Sequence, residues 1–491
     1  MCKHLYLLFI SILISLAGKS NAQYIEMNES LQHALGLVME LKLTKATALT
    51  DSLSKIQKEN KGIAYIKAII VSNKLLLQED KNEFDAKRES LEKFIEEISK
   101  VSDDDPQKRK MMGEIHLAIA ILHAKYQNNI RAGLQFFTAY NLLKDNFEKF
   151  PNHHPNYIAL GVLYSAIGSL PEGYQSIASL FGMSGSVEEG MALVHKGYWR
   201  TISEKENRFY REYYGFIYAY SAFTIQGRTD VSLSSLAINF KKGSNLIYLQ
   251  SLIDIQKGQA HKAYNYLQKR PKGDEYEDYP FMDYHTGKVA IAFSTDTAKI
   301  YLKSFLKNTP DDYYIKSAYR YLSWCAMLEG DKKALDDYRK LVLTKGSLKT
   351  GADKQAQKEA ESNFNEVLIR GRILFDGGRY KDAIKYMMAQ RSKVKAFNQK
   401  DKLEFHYRLG RIYQEDKQNS LAIREFVDAL GLDISESSFA QGNSALQLAR
   451  VYEEQGNKDL AKTYYEKTLS IQGFPFYEGL HQQAKAGLDR L

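Results

Sequence analysis

Four groups of side chains in this 491-residue sequence have types and spacings that could do chemistry. The first is a row of arginines, Arg372, Arg411 and Arg450, 39 residues apart at each step. A guanidinium is a flat fork of five donors, suited to gripping carboxylates or backbone carbonyls. Four residues after each arginine comes an acid: Asp376, Glu415 and Glu454. On a helix each arginine therefore has a partner on its own face. Exposed pairs of this kind contribute about 0.5 kcal/mol or less, and arginine before acid is the weaker order. Two readings follow: the pairs neutralise each other, or they yield to a ligand. Tyr407 lies one turn before Arg411, either beside the guanidinium or packed into a core.

The second group is the aromatic run Phe209, Tyr210, Tyr213, Tyr214, Phe216, Tyr218 and Tyr220. Tyr210, Tyr213, Tyr214 and Ile217 form one helical stripe, which reads first as core and second as a stacking platform for sugars or peptides. With Trp199 and Trp324 the only tryptophans, a glycan platform has little support. The third group is the histidines. His153-His154 precedes Pro155 in an expected loop, and His116 and His123 share a helix face with apolar neighbours. A metal site needs more ligands than either supplies locally. The fourth, Gly182-Met183-Ser184-Gly185-Ser186, lacks the spacing of a nucleophile elbow and reads as a turn. HExxH, CxxC and GxxxxGK are absent. No catalytic, cofactor or metal residue is nominated, no cofactor is expected, and the expectation is a protein that is not an enzyme.

Almost every segment after residue 22 has the 3.6-residue period of a helix, as in Leu91, Phe94, Ile95 and Ile98. The 8 prolines are scattered, as helix interiors require. Three positions repeat at the 39-residue step. They are Gly371, Gly410 and Ala449, then Ala383, Ala422 and Ala461, then Met387, Phe426 and Tyr465. The middle copy reads Leu409-Gly410-x-x-Tyr413, then Ala422-x-x-x-Phe426-x-x-Ala429. These residues resemble the tetratricopeptide repeat of bacterial exported proteins. That repeat is a pair of antiparallel helices in which a small residue on the first lets the second approach.

The resemblance implies an all-α fold: a right-handed α-α superhelix, a helical-hairpin solenoid, here with an irregular helical centre. It also implies that Arg372, Arg411 and Arg450 face a concave groove, with a protein or peptide as partner. The family's Lys and Asn clamp for peptide carboxylates is not matched, so that specificity does not carry over. The step exceeds the family's ~34 residues, which predicts longer helices or loops such as Asp433–Ser438. Weaker copies lie at Ala120, Ala132, Phe136 and Ala139, at Gly258 and Ala263, and at Ala334 and Tyr338.

Residues 157–194 are rich in Gly, Ala and Ser and broken at Leu170-Pro171, where small residues allow backbones to approach. This stretch is similar to the middle of the inclusion-body-clearance/tetratricopeptide-39 family, which implies an adaptor-type role. Those members are intracellular, a departure from what the start of this chain predicts.

That start has a basic Lys3-His4, an apolar run Leu5 to Leu16, and Ser20 and Ala22 at small-x-small positions. It reads as a secretory signal peptide, too short to span a membrane comfortably. Cleavage after Ala22 removes Cys2 and leaves Cys325 as a lone thiol, expected to be buried in a helix. The formal charge of +9 falls to +7, because Lys3 and Lys19 go and no acid does. Basic and acidic residues are interspersed, whereas a nucleic-acid binder gathers its positive charge on one stripe. No nucleic-acid partner is expected, and no transmembrane segment after cleavage. The expected layout is signal peptide 1–22, N-terminal helical repeats 23–150, central irregular helical region 151–345, and C-terminal repeats 346–491. Lys345–Lys358 reads as a linker or the start of a helix, and Pro271–Pro280 as an acidic loop.

The reading is an exported scaffold or adaptor, periplasmic or secreted, with peripheral outer-membrane association left open. It binds protein or peptide without catalysis. A small-molecule or glycan binder using the aromatic middle is the alternative, and an enzyme with a site assembled from distant residues is a third. Oligomeric state is not legible.

Overall fold

A computed structural model of the protein describes residues 23–78, 80–170, 172–310, 312–362, 365–433, 437–474 and 477–491. The signal-peptide expectation for residues 1–22 lies outside the described residues. Within them every regular element is a helix, and the β-type pairing is one isolated bridge between Tyr24 and Asn60. The chain is an all-α helical-repeat protein packed as two compact units. One holds the described residues through Ile253 together with Lys269–Tyr279, and the other holds Asp254–Gln268 and Pro280–Leu491.

The first unit contains α1 (Glu29–Met39), α2 (Leu43–Ile56), α3 (Gly62–Gln78), α4 (Lys81–Ser99), α5 (Pro106–Lys125), α6 (Asn129–Lys149), α7 (Asn156–Gly168), α8 (Glu172–Leu180), α9 (Val187–Ser203) and α10 (Arg211–Gln226). Side-chain caps set several helix starts: Asp105 accepts from the Gln107 amide, with Pro106 in the first turn of α5. The small residues of the middle have the expected use. A Cβ at Gly161 would lie 2.5 Å from the carbonyl oxygen of Gly190, so α7 and α9 cross backbone to backbone. In the weak repeat copy on α5 and α6, Ala120 and Ala139 are buried while Ala132 and Phe136 are half-buried. The acidic loop is a strap on this unit. The Glu277 amide donates to the Leu41 carbonyl at 2.7 Å, and Glu275 pairs with Lys45 at 2.5 Å.

After α11 (Ser244–Gln256), the second unit contains α12 (Ala260–Leu267), α13 (Phe281–Ala290), α14 (Thr295–Asn308), α15 (Ile315–Glu329), α16 (Lys332–Thr344), α17 (Gly351–Glu361), α18 (Glu366–Asp376), α19 (Tyr380–Ala389), α20 (Gln399–Glu415), α21 (Asn419–Leu430), α22 (Phe439–Glu454), α23 (Lys458–Ser470) and α24 (Tyr477–Leu488). The polar stretch 345–358 runs into α17, whose first turn is capped by Thr350. Cys325 is fully buried in α15, and burial pushes its thiol up to about 12.

The 39-residue step corresponds to three hairpins, α18–α19, α20–α21 and α22–α23. Ala383, Ala422 and Ala461 are buried, as are Met387, Phe426 and Tyr465. A Cβ on Gly410 would lie 2.6 Å from the Phe426 ring, which is why that position must be small. The residues beyond the usual repeat length sit between hairpins: a 3-10 turn at Arg391–Ala396 before α20, and the connection from α21 to α22. The turn inside each hairpin keeps the register too. Gly378, Lys417 and Gly456 all adopt left-handed backbone, with φ of 67°, 62° and 75°. Glycine does this freely, whereas a residue with a Cβ loses about 1 kcal/mol there, and Lys417 bears that strain.

Candidate functional site

A groove of about 1760 Å³ opens on the second unit, lined by α17, α18, α20, the start of α22, and Gly473 and Phe474. The first helices of the three hairpins form it together with α17, and no lining residue belongs to α19, α21 or α23. Arg372, Tyr407 and Arg411 all line it, together with Phe375, Arg408 and Phe439. Arg450 is not part of the lining.

Two of the three expected ion pairs form. Arg372 Nε stands 3.6 Å from Asp376 Oδ2, and Arg411 Nη2 donates to Glu415 Oε1 at 3.1 Å. Among the described residues no ion pair joins Arg450 to Glu454; Arg450 Nη2 donates instead to Gln483 on α24 at 2.8 Å. Both groove arginines lie over rings, Arg372 at 5.3 Å from the Trp324 centroid and Arg411 at 5.6 Å from that of Phe375. Burial works against the charge of Arg372, but Asp376 and the neighbouring oxygens of Tyr321, Glu359 and Glu404 outweigh it, so its pKa rises. For Arg450 burial prevails, assisted by Arg411 and Arg490, and the pKa falls. Gln447 links the upper two arginines. With its amide oriented to suit its neighbours, its oxygen accepts from Arg411 Nη1 at 3.3 Å and Arg450 Nη1 at 3.2 Å. Tyr407 lines the groove, its hydroxyl accepts from Asn443 Nδ2 at 2.8 Å, and its ring packs edge-on to Phe439.

Most groove acids are already engaged. Glu359 accepts from Trp324 Nε1 at 2.7 Å, and Asp401 accepts from Asn365 and Asn398, each at 3.1 Å. Glu404 pairs with Arg408. By contrast, the exposed ammonium groups of Lys354, Lys358 and Lys400 have no partner among the described residues. The groove thus combines spare cations, half-open guanidinium groups and rings.

Much of the tyrosine run packs into the core, while Tyr220 is exposed. Tyr210 and Tyr214 are buried and stacked at 4.6 Å, and Tyr218 is buried. Tyr210 and Tyr214 flank a residue that sequence reasoning missed. Lys110 is fully buried, with Nζ 4.8 Å and 4.7 Å from the ring centroids of Tyr65 and Tyr210 and 3.1 Å from Glu114 Oε2. Tyr65 donates to the same carboxylate. The histidines serve packing and pairing. His116 bonds Gln135 at 2.6 Å, His123 meets Phe84 edge-on, and His154 Nδ1 lies 2.6 Å from Glu204. Burial, reinforced by Lys110 and His154, lowers His153 to about 4. In the Gly182–Ser186 turn the Ser184 amide donates to Tyr140, and Ser186 caps α9.

The family model of the tetratricopeptide repeat matches residues 443–473, from within α22 to just past the end of α23. That segment is similar to a tetratricopeptide repeat. Ala449, Ala461 and Tyr465 fall inside the match, so the small-to-aromatic contact seen at Gly410 and Phe426 belongs to the same register. No curated protein sequence matches the chain. Among solved structures, the human IFIT1 dimer with PPP-AAAA is 14% identical with a TM-score of 0.33, covering 91% of this chain and 95% of that one. The APC/C hetero-tetramer Cut9-Hcn1 is 13% identical with a TM-score of 0.24, covering 98% of each. At these TM-scores no shared site or ligand follows.

The groove's lysines were legible only in hindsight. Lys354 and Lys358 lie four apart on α17, the i,i+4 spacing that puts two charges on one helix face, in a stretch that also reads as a linker.

Proposed function

We propose that the protein is a non-catalytic scaffold, exported by its N-terminal segment, that holds an extended protein segment in the groove of its C-terminal repeats. The observation that supports this most is the convergence of Arg372, Tyr407 and Arg411, nominated by spacing, on one groove lined by α17 and the first helices of the hairpins. The guanidinium groups are half-buried and weakly paired, so a carboxylate or backbone carbonyl can displace Asp376 or Glu415 at little loss. Phe375, Tyr407 and Phe439 offer apolar and amphipathic surface for side chains between those contacts. Groove acids interleaved with the cations disfavour a phosphate backbone, which calls for an uninterrupted positive track. Among the described residues no helix is long and apolar enough to cross a membrane.

The test is affinity capture from an envelope extract, with a variant carrying Arg372→Ala and Arg411→Ala as comparison. A polypeptide retained by the wild type and lost by the variant, with circular dichroism unchanged, supports the reading. Equal retention removes the groove from the account. N-terminal sequencing of the protein from the envelope fraction tests export separately: a start at Gln23 is expected, and a retained Met1 contradicts it.

A further inference from the structure

A second polar cluster on the C-terminal repeats has no part in the groove. His406 on α20 and Glu425 and Asp428 on α21 are all absent from the groove lining. His406 Nδ1 lies 2.8 Å from Glu425 Oε2 and 3.8 Å from Asp428 Oδ2. One ligand atom from each residue lies within 4.8 Å of the other two.

The surroundings of Glu425 distinguish this cluster from a chance surface group of acids. Glu425 is 0% exposed, and a carboxylate so placed must be compensated to remain charged. His406 and Arg391 supply that compensation directly, and the Arg424 guanidinium lies 3.6 Å from Oε1. Arg391 Nη1 donates to Oε1 at 2.6 Å, which fixes that oxygen and leaves Oε2 turned toward the imidazole. Asp428 is exposed, so the cluster opens to solvent on one side.

We infer that His406, Glu425 and Asp428 form a site for a divalent cation of the zinc class, joining the two helices of the middle repeat. An imidazole nitrogen and two carboxylate oxygens make a borderline N/O donor set, and water completes the coordination. Small shifts bring the three atoms to the ~2.0–2.2 Å that such an ion requires. Loading requires the imidazole to carry its proton on Nε2, which frees the Nδ1 lone pair. Arg391 is then the outer partner that orients a ligating carboxylate, a common arrangement around bound metals. An ion here would tie α20, which carries Tyr407 and Arg411, to α21.

The experiment titrates the full chain, stripped with a chelator, with Co²⁺, reading visible absorption, and then displaces the Co²⁺ with Zn²⁺. Asp428→Asn and His406→Gln are the comparisons, with folding followed by circular dichroism. Asp428 is exposed, so its variant keeps the test sound even if His406→Gln unfolds. One Co²⁺ per chain, displaced by Zn²⁺ and weakened about tenfold or more in each folded variant, is the expected result. The absence of saturable binding overturns the inference, as does unchanged affinity in a folded variant.

Discussion

One assembly of cation, ring and carboxylate from each unit, set side by side, shows the same chemistry at opposite exposures. In the N-terminal unit Lys110 is fully buried among Tyr65, Tyr210 and Glu114. In the C-terminal unit Arg372 and Arg411 lie over Trp324 and Phe375 with their acids at the edge of an open groove. The chemistry is the same and the exposure is not. A buried ion pair is strongly interdependent, because removing one partner strands the other in low dielectric. An open pair is exchangeable, because water or a ligand can replace either partner. The comparison separates an assembly that fixes the fold from one that can serve a visitor.

The largest expected effect comes from breaking the buried assembly. Glu114→Ala leaves Lys110 charged and buried, and urea unfolding should show a loss of about 3–5 kcal/mol in the N-terminal unit. Adding Lys110→Met should recover much of it, and a loss below ~1 kcal/mol for the single variant would break the comparison.

The same core gives the next effect, in pH. His153 titrates near 4 when folded, because burial and then Lys110 and His154 disfavour its charge, against about 6.5 when unfolded. The stabilisation is complete above pH ~6.5 and is lost as the pH falls toward 4, by about 3 kcal/mol in all. His153→Gln should remove that slope from the acid unfolding curve.

In the C-terminal unit, Gly410→Ala forces a methyl against the Phe426 ring. A loss of about 1–3 kcal/mol in thermal or urea unfolding is expected. The smallest effect sharpens the contrast. Arg372→Ala with Arg411→Ala should alter stability by less than ~1 kcal/mol in the same assay, while abolishing partner retention.

What the sequence revealed depended on how locally each feature is encoded. The repeat was legible because the contact between Gly410 and Phe426 spans 16 residues and recurs at a fixed step. The arginine row was legible for the same reason, but not its upper end: Arg450 turns to Gln483 on α24, and periodicity says nothing about a final helix. The turn position shared by Gly378, Lys417 and Gly456 escaped notice because lysine in the middle copy hides a requirement that is purely backbone. Lys110 was invisible, since its cage is drawn from Tyr65, Glu114 and Tyr210, and only the packed core brings them together. The tyrosine stripe was correctly read as core first, although not as the wall around a buried charge. His406 and Glu425 stand 19 residues apart on separate helices of one hairpin, a pairing that no metal-ligand motif would mark.

The central claim is that the groove on the C-terminal repeats holds a polypeptide. Site-specific photo-crosslinking tests it most directly. The photoreactive residue p-benzoyl-phenylalanine is placed at Phe439, exposed on the groove wall, or at Leu460, exposed on α23 outside the lining. Irradiation in the source cells should give a covalent protein adduct from position 439 and none from 460, and the adduct should vanish when Arg372 and Arg411 are both alanine. Equal labelling from the two positions, or none from 439 in a folded chain, would contradict the account.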